Sequence, residues 1–210
     1  ADQQISDGGW GWFSGVGERS YPHTTAVVVH GLQLAKANDV ALVPGMLEKG
    51  IAWLQRYQAE ELQKLKNFET DKKDVPKKQF ADALDAFVYM ILVDADLENQ
   101  EMRDRLYRDR VQLPVYAKAM FGVALDKIGD QEKRDMIVRN IEQFLVQDQE
   151  NETAYLKLPE NNWWWFWWGS DVEANAYYLK LLSRFRLTVD QATRFFEADN
   201  RAGLSDEDIL

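Results

Sequence analysis

A helix that is apolar on every side cannot stand in water, and this chain has several. Residues 26–35 (AVVVHGLQLA), 115–125 (VYAKAMFGVAL) and 172–182 (VEANAYYLKLL) are apolar nearly all round, so each must be covered on most sides. One-sided stretches alternate with them. Over 131–148 the apolar residues Met136, Ile137, Ile141, Phe144 and Leu145 form one stripe, opposite Glu132, Lys133, Arg134, Arg139 and Glu142. Over 44–66, Leu47, Ile51, Leu54, Leu62 and Leu65 do the same. The spacing predicts helices at 22–37, 44–66, 77–97, 100–110, 114–128, 131–148, 170–185 and 189–198. Pro22, Pro44, Pro76 and Pro114 each precede a helical run, where a missing N–H costs nothing. Ser170 with Glu173, and Thr188 with Gln191, have capping-box spacing.

A repeat runs through the pattern. Ala26 and Leu34, Ala117 and Leu125, and Ala174 and Leu182 share one spacing, and Leu84 with Leu92 fits loosely. A repeated helical hairpin cannot bury its own apolar face and has to stack on its neighbours. The expected class is therefore all-α: an α/α toroid of paired inner and outer helices, or an arc of one. A short aromatic extended segment at 162–168 interrupts it. The lysine-rich stretch 64–79 (KLKNFETDKKDVPKKQ) lacks an apolar stripe and reads as a solvated connection.

Composition removes several functions. The 210 residues have a net charge of −10, which disfavours nucleic acid as a partner, and 46% hydrophobic residues, enough for a core. With no cysteine there is no disulfide, thiolate metal site or cysteine nucleophile in these residues. No apolar run approaches the roughly 18 residues that span a bilayer. The sequence opens at Ala1 with no charged-then-apolar leader, which reads as a mature or trimmed chain.

Four groups of residues could carry function. Residues 163–168 read Trp-Trp-Trp-Phe-Trp-Trp; as an extended segment they would point Trp163, Trp165 and Trp167 one way and Trp164, Phe166 and Trp168 the other. They would serve as a sugar-stacking or partner-docking platform or, the favoured reading, as packing across helix ends. The loop Gln4-x-x-Asp7-Gly8-Gly9-Trp10, with Trp12 after it, suits tight packing at the start of a helical hairpin, Trp10 plugging a gap. His23 and His30 share a helix face but lie about 10 Å apart along it, too far for one metal ion. Asp82 with Asp85, and Asp94 with Asp96, are the candidates for an acid/base pair of the glycosidase kind. No nucleophile elbow, phosphate loop or HExxH spacing is present, and no cofactor is implied.

Several of these segments resemble one family. Gln4-Ile5-Ser6-Asp7-Gly8-Gly9-Trp10-Gly11-Trp12-Phe13, followed by Tyr21-Pro22-His23-Thr24-Thr25-Ala26-Val27-Val28, looks like the "SDGGFGYW … DPWLTAYV" stretch of bacterial alpha-2-macroglobulins. Residues 43–54 and 164–176 are similar to later parts of the same region, in the same order. The resemblance implies a thioester-domain α/α toroid over 1–186, with 187–210 as a C-terminal helix or tail. It implies a periplasmic or cell-surface protease trap that changes shape when a protease cuts its bait region. Family members couple to the protease through a Cys-x-x-Gln thioester before the Asp-Gly-Gly loop; this chain has no cysteine, so no functional residue carries over. The expected role is a non-enzymatic module of such an inhibitor. Its expected partners are neighbouring domains of a longer chain and target proteases, with Trp10, Trp12, Trp163, Trp165 and Trp167 as partner-contact or packing aromatics. The alternative is a carbohydrate-active or terpenoid-cyclase-like α/α barrel. Cyclases share a similar Gln-x-x-Asp-Gly-Gly-Trp loop, but their Asp-x-Asp-Asp motif is broken here by Leu97.

Overall fold

Pro22 sets the backbone for the first helix, and from there to Arg108 the chain is a helical unit built around one thoroughly buried helix. A computed structural model describes residues 3–12, 18–148, 150–151, 153–158 and 171–185. Among these the chain forms seven α-helices and one two-stranded antiparallel sheet, so it is mostly helical with a small β element. It divides into two compact units, residues 1–113 and 114–210.

In the first unit, α1 (Pro22–Ala37) and α2 (Met46–Glu69) pack on each other and on α3 (Ala83–Asp94), and α4 (Gln100–Arg108) closes against α2 and α3. The inward stripe of α2, Leu47, Gly50, Leu54, Gln58, Glu61, Leu62 and Leu65, follows the helical period. Helix α3 has no outward stripe: the nine residues Asp85 to Val93 are all buried. Asp82 caps it, accepting from the N–H groups of Leu84 and Asp85, while the Asp85 side chain accepts from the Asp82 N–H. Asn99 caps α4 by accepting from Met102 N–H, which turns Met102 and Leu106 inward one turn apart. Helix α1 is less covered than its composition predicts. Thr25, Ala26 and Val29 are buried, but Val27 and Leu34 stay 49% and 48% exposed. Three successive valines cannot share one face of a helix, so the 3.6-residue period turns Val27 outward.

In the second unit, α5 (Val115–Lys127) packs on α6 (Gln131–Glu142) and α7 (Asp171–Leu182), and ten of its thirteen residues are buried. The helix expected over 131–148 stops at Glu142. Leu145–Asp148 instead forms strand β1, paired with β2 (Thr153–Leu156) in the register Leu145↔Leu156 to Asp148↔Thr153. Phe144 and Val146 favour a strand over a helix, and Asp148 fixes the turn by accepting from the N–H groups of Glu150 and Asn151. The buried Asn175 of α7 receives the Leu156 N–H at 2.8 Å, joining the hairpin to the helix. On its surface, Asp126 is shared between Arg134 and Arg184.

The helix expected at 189–198, the aromatic run 162–168, both capping boxes at Ser170 and Thr188, and the boundary at 186–187 lie at least in part outside the described residues.

Candidate functional site

The N-terminal loop is a clasp on α2. Its turn closes through Ile5 N–H to Gly9 O and Gly8 N–H to Ile5 O, both 2.9 Å, with Gly8 at φ +97°. A side chain at Gly8 would meet Lys49 O at 2.8 Å, so loop and helix backbones touch there. The Gln4 amide donates to Gly8 O and to Met46 O. Asp7 collects donors on both oxygens: Gly9 N–H (3.0 Å) and the Ser20 hydroxyl (2.6 Å) on Oδ1, and the Trp53 indole N–H (2.9 Å) on Oδ2. Arg56 donates to its carbonyl. Partial burial works against the Asp7 charge, but those donors outweigh it and hold the carboxyl below its ordinary pKa. An ionised acid so engaged has no proton to give at neutral pH. Trp10 lies beneath, 6% exposed, its N–H on the Thr25 hydroxyl and its ring against Gly50. Trp12 is 54% exposed and meets Tyr21 edge-on. The two tryptophans thus differ: Trp10 is packing, and Trp12 offers a surface.

The four candidate carboxylates separate as well. Asp94 ends α3 and Asp96 makes the following turn at φ 60°, exposed to solvent. Asp82 and Asp85 are brought together, but around a lysine. Lys78 Nζ lies 2.7 Å from each of them and 2.8 Å from Glu61 of α2, whose other oxygen pairs with Lys64. Burial disfavours the Lys78 charge, yet Asp85 and Asp82 outweigh it and push its pKa up. Burial, then the neighbouring Asp82, push Asp85 up to about 6 against the pull of Lys78. Burial and the surrounding carboxylates push the Tyr57 phenol up too. A glycosidase pair must flank a substrate on an open face. Here the carboxyls cap a helix and bind a lysine, and an open dent of about 180 Å³ lies elsewhere, lined by residues such as Lys36, Val43 and Glu48.

Lys78 was missed by sequence reasoning. The stretch 64–79 is not simply a solvated connection: its first six residues continue α2, and the Lys78 side chain is only 14% exposed. Its spacing to the capping box, four residues before Asp82 and seven before Asp85, was the available signal. His23 and His30 both pack against the Phe87 ring, with centroids 6.1 and 5.9 Å away. Among the described residues no group of three metal-ligating side chains comes together, and no helix is long and apolar enough to cross a membrane. Trp163, Trp165 and Trp167 lie outside the described residues.

Laid over known structures, 96% of the chain follows alpha-2-macroglobulin from Salmonella reacted with methylamine, with a TM-score of 0.63. The fold is shared with a segment of bacterial alpha-2-macroglobulins. Sequence identity to the Salmonella protein is 18%, and the match covers 12% of that chain. Native Escherichia coli alpha-2-macroglobulin, from domain MG7 to the C-terminus, matches with a TM-score of 0.61 and 18% identity, over 96% of this chain and 29% of that one. The full native E. coli alpha-2-macroglobulin gives 0.62 and 16%, over 96% and 12%. No protein-family model matches the sequence, and no curated protein does. The chain thus spans between about an eighth and under a third of the alpha-2-macroglobulin chains it resembles.

Proposed function

We propose that this chain is a non-catalytic helical module of an alpha-2-macroglobulin-like, protease-trapping protein, working outside the cytoplasm alongside other domains of a longer chain. The observation that carries the reading is the likeness of 96% of the chain to one segment of three bacterial alpha-2-macroglobulin structures. The chemistry is in keeping with it: Asp7, Asp82 and Asp85 are each engaged in holding the fold. In this reading the helices are paired as an α/α toroid or an arc of one, the domain runs to about residue 186, and the chain lacks a thioester cysteine of its own.

The test uses the intact parent protein. It is incubated with a protease that cuts it, and the mixture is separated by size under native conditions. Co-migration of active-site-labelled protease with the cleaved inhibitor is expected. Free protease after complete cleavage would refute the trapping role. Turnover of a glycan or prenyl substrate, lost in Asp85→Asn, would favour the α/α-barrel enzyme instead.

A further inference from the structure

We propose that the outward face of α1 is the seat of an apolar helix supplied by another part of the longer chain to which this module belongs, which rests on the functional reading above. Val27, Gly31 and Leu34 lie four and three residues apart and so share one face of α1, and all three are exposed. Gly31 leaves a notch between the two larger side chains, since a methyl group there would meet nothing within 4 Å. Past the helix, Val40 N–H donates back to Ala35 O. Val40 and Val43 are exposed as well and line the open dent beside Lys36.

A solvated helix face ordinarily carries charge. From Pro22 to Ala35 α1 has none, in a chain whose residues are 29% charged, and its two histidines pack on Phe87. The comparable uncharged run of α3, Ala86 to Val93, is buried throughout, with α1, α2 and α4 against it. Helix α1 thus has the composition of a covered helix without the cover. The shape selects the occupant. Knobs at Val27 and Leu34 with a notch between them accept a ridge of side chains from another helix, and the missing Cβ of Gly31 lets the two axes approach closely. The size selects its source. Four half-exposed side chains and a glycine fall far short of the roughly 20–30 residues a side that hold a free partner or a second copy. A segment of the same polypeptide needs much less, because the covalent link supplies a high effective concentration. The alpha-2-macroglobulin chains that share this fold are long enough to supply one, since this chain matches only 12% to 29% of their length.

These residues include no cysteine, so single thiols placed among them report the face cleanly. Val27→Cys, Leu34→Cys and, as an exposed reference, Lys73→Cys are made one at a time in the intact parent protein. Maleimide labelling of each thiol is followed by peptide mass spectrometry, and its rate is referred to that of the same thiol in urea. Expected is a slowing of about tenfold or more at positions 27 and 34, with little change at 73. A benzophenone on the Leu34→Cys thiol, irradiated in the parent, should attach to residues three or four apart in one segment outside these 210 residues. Open thiols at 27 and 34, attachment to alternate residues of a strand, or attachment to a second copy overturns the proposal. If the variants do not fold, hydroxyl-radical footprinting of the unaltered parent decides. Leu34 oxidised as slowly as the buried Leu54 supports the seat, and any faster rate overturns it. None of these readouts involves a protease, so they stand or fall separately from the trapping test.

Discussion

Two glycines in helices offer a graded test of how closely the N-terminal loop sits on α2. Alanine in a helix interior is favoured over glycine by about 0.5–1 kcal/mol. A methyl group at Gly31 on α1 meets nothing within 4 Å, so Gly31→Ala should stabilise by that full amount. At Gly50 the same gain is opposed. The new Cβ would lie 2.6 Å from Val29 Cγ2 and 2.8 Å from Trp10 Cζ3. Both neighbours are buried and neither can swing into solvent. Overpacking of this kind costs about 1–3 kcal/mol, which leaves a net loss of about 1 kcal/mol. Val29→Ala removes the nearer obstacle, so the two changes should couple favourably, by about 1 kcal/mol, in a double-mutant cycle. Because the chain has two compact units, a single unfolding transition is a poor gauge. Native-state hydrogen exchange of the most protected α1 and α2 amides reports the first unit alone. If Gly50→Ala stabilised as much as Gly31→Ala, the seating of Trp10 between Val29 and Gly50 would be wrong.

Three further outcomes follow. Asn175→Ala orphans the buried Leu156 N–H and should destabilise the second unit by about 1–3 kcal/mol, seen as lost exchange protection in β2. Glu69→Ala breaks the pairs with Arg105 and Arg108, but Glu69 is 38% exposed, so the loss should stay below about 1 kcal/mol and shrink in salt, as read by native-state hydrogen exchange of the most protected α2 amides. Asp7, with its pKa held below 3.8, contributes stability that is present above about pH 4 and is lost as pH falls through its folded value. The Trp53 indole N–H resonance should report that acid transition, and Asp7→Asn should abolish it.

Helices were readable where one signal ruled. The Pro22 start, the stripe of α2, and the apolar run of α5 each fix an element by period or backbone chemistry alone, and α1 ends at Ala37 as expected. Legibility failed where a long-range partner decided. Residues 143–148 continue an acceptable helical stripe, and only pairing with 153–156 makes them a strand. Lys78 looks like its neighbours Lys72, Lys73 and Lys77 until Glu61, one helix away, is placed beside it. Of the site, the packing role of Trp10 was visible in its glycine setting. The reach of Asp7 to Trp53 was not, since 46 residues separate them.

The wrapping of α3 sets an order of events during synthesis. A nascent chain that has emerged only through α2 presents Leu54, Leu62 and Leu65 to water with part of their cover still unmade. Roughly 25 more residues must follow before α3 is complete. At typical ribosomal rates that is a wait of about 1–5 s, during which the half-made unit keeps that apolar surface in water. A stretch of slow codons between residues 70 and 94 would lengthen that wait and lower soluble yield, without altering a single side chain.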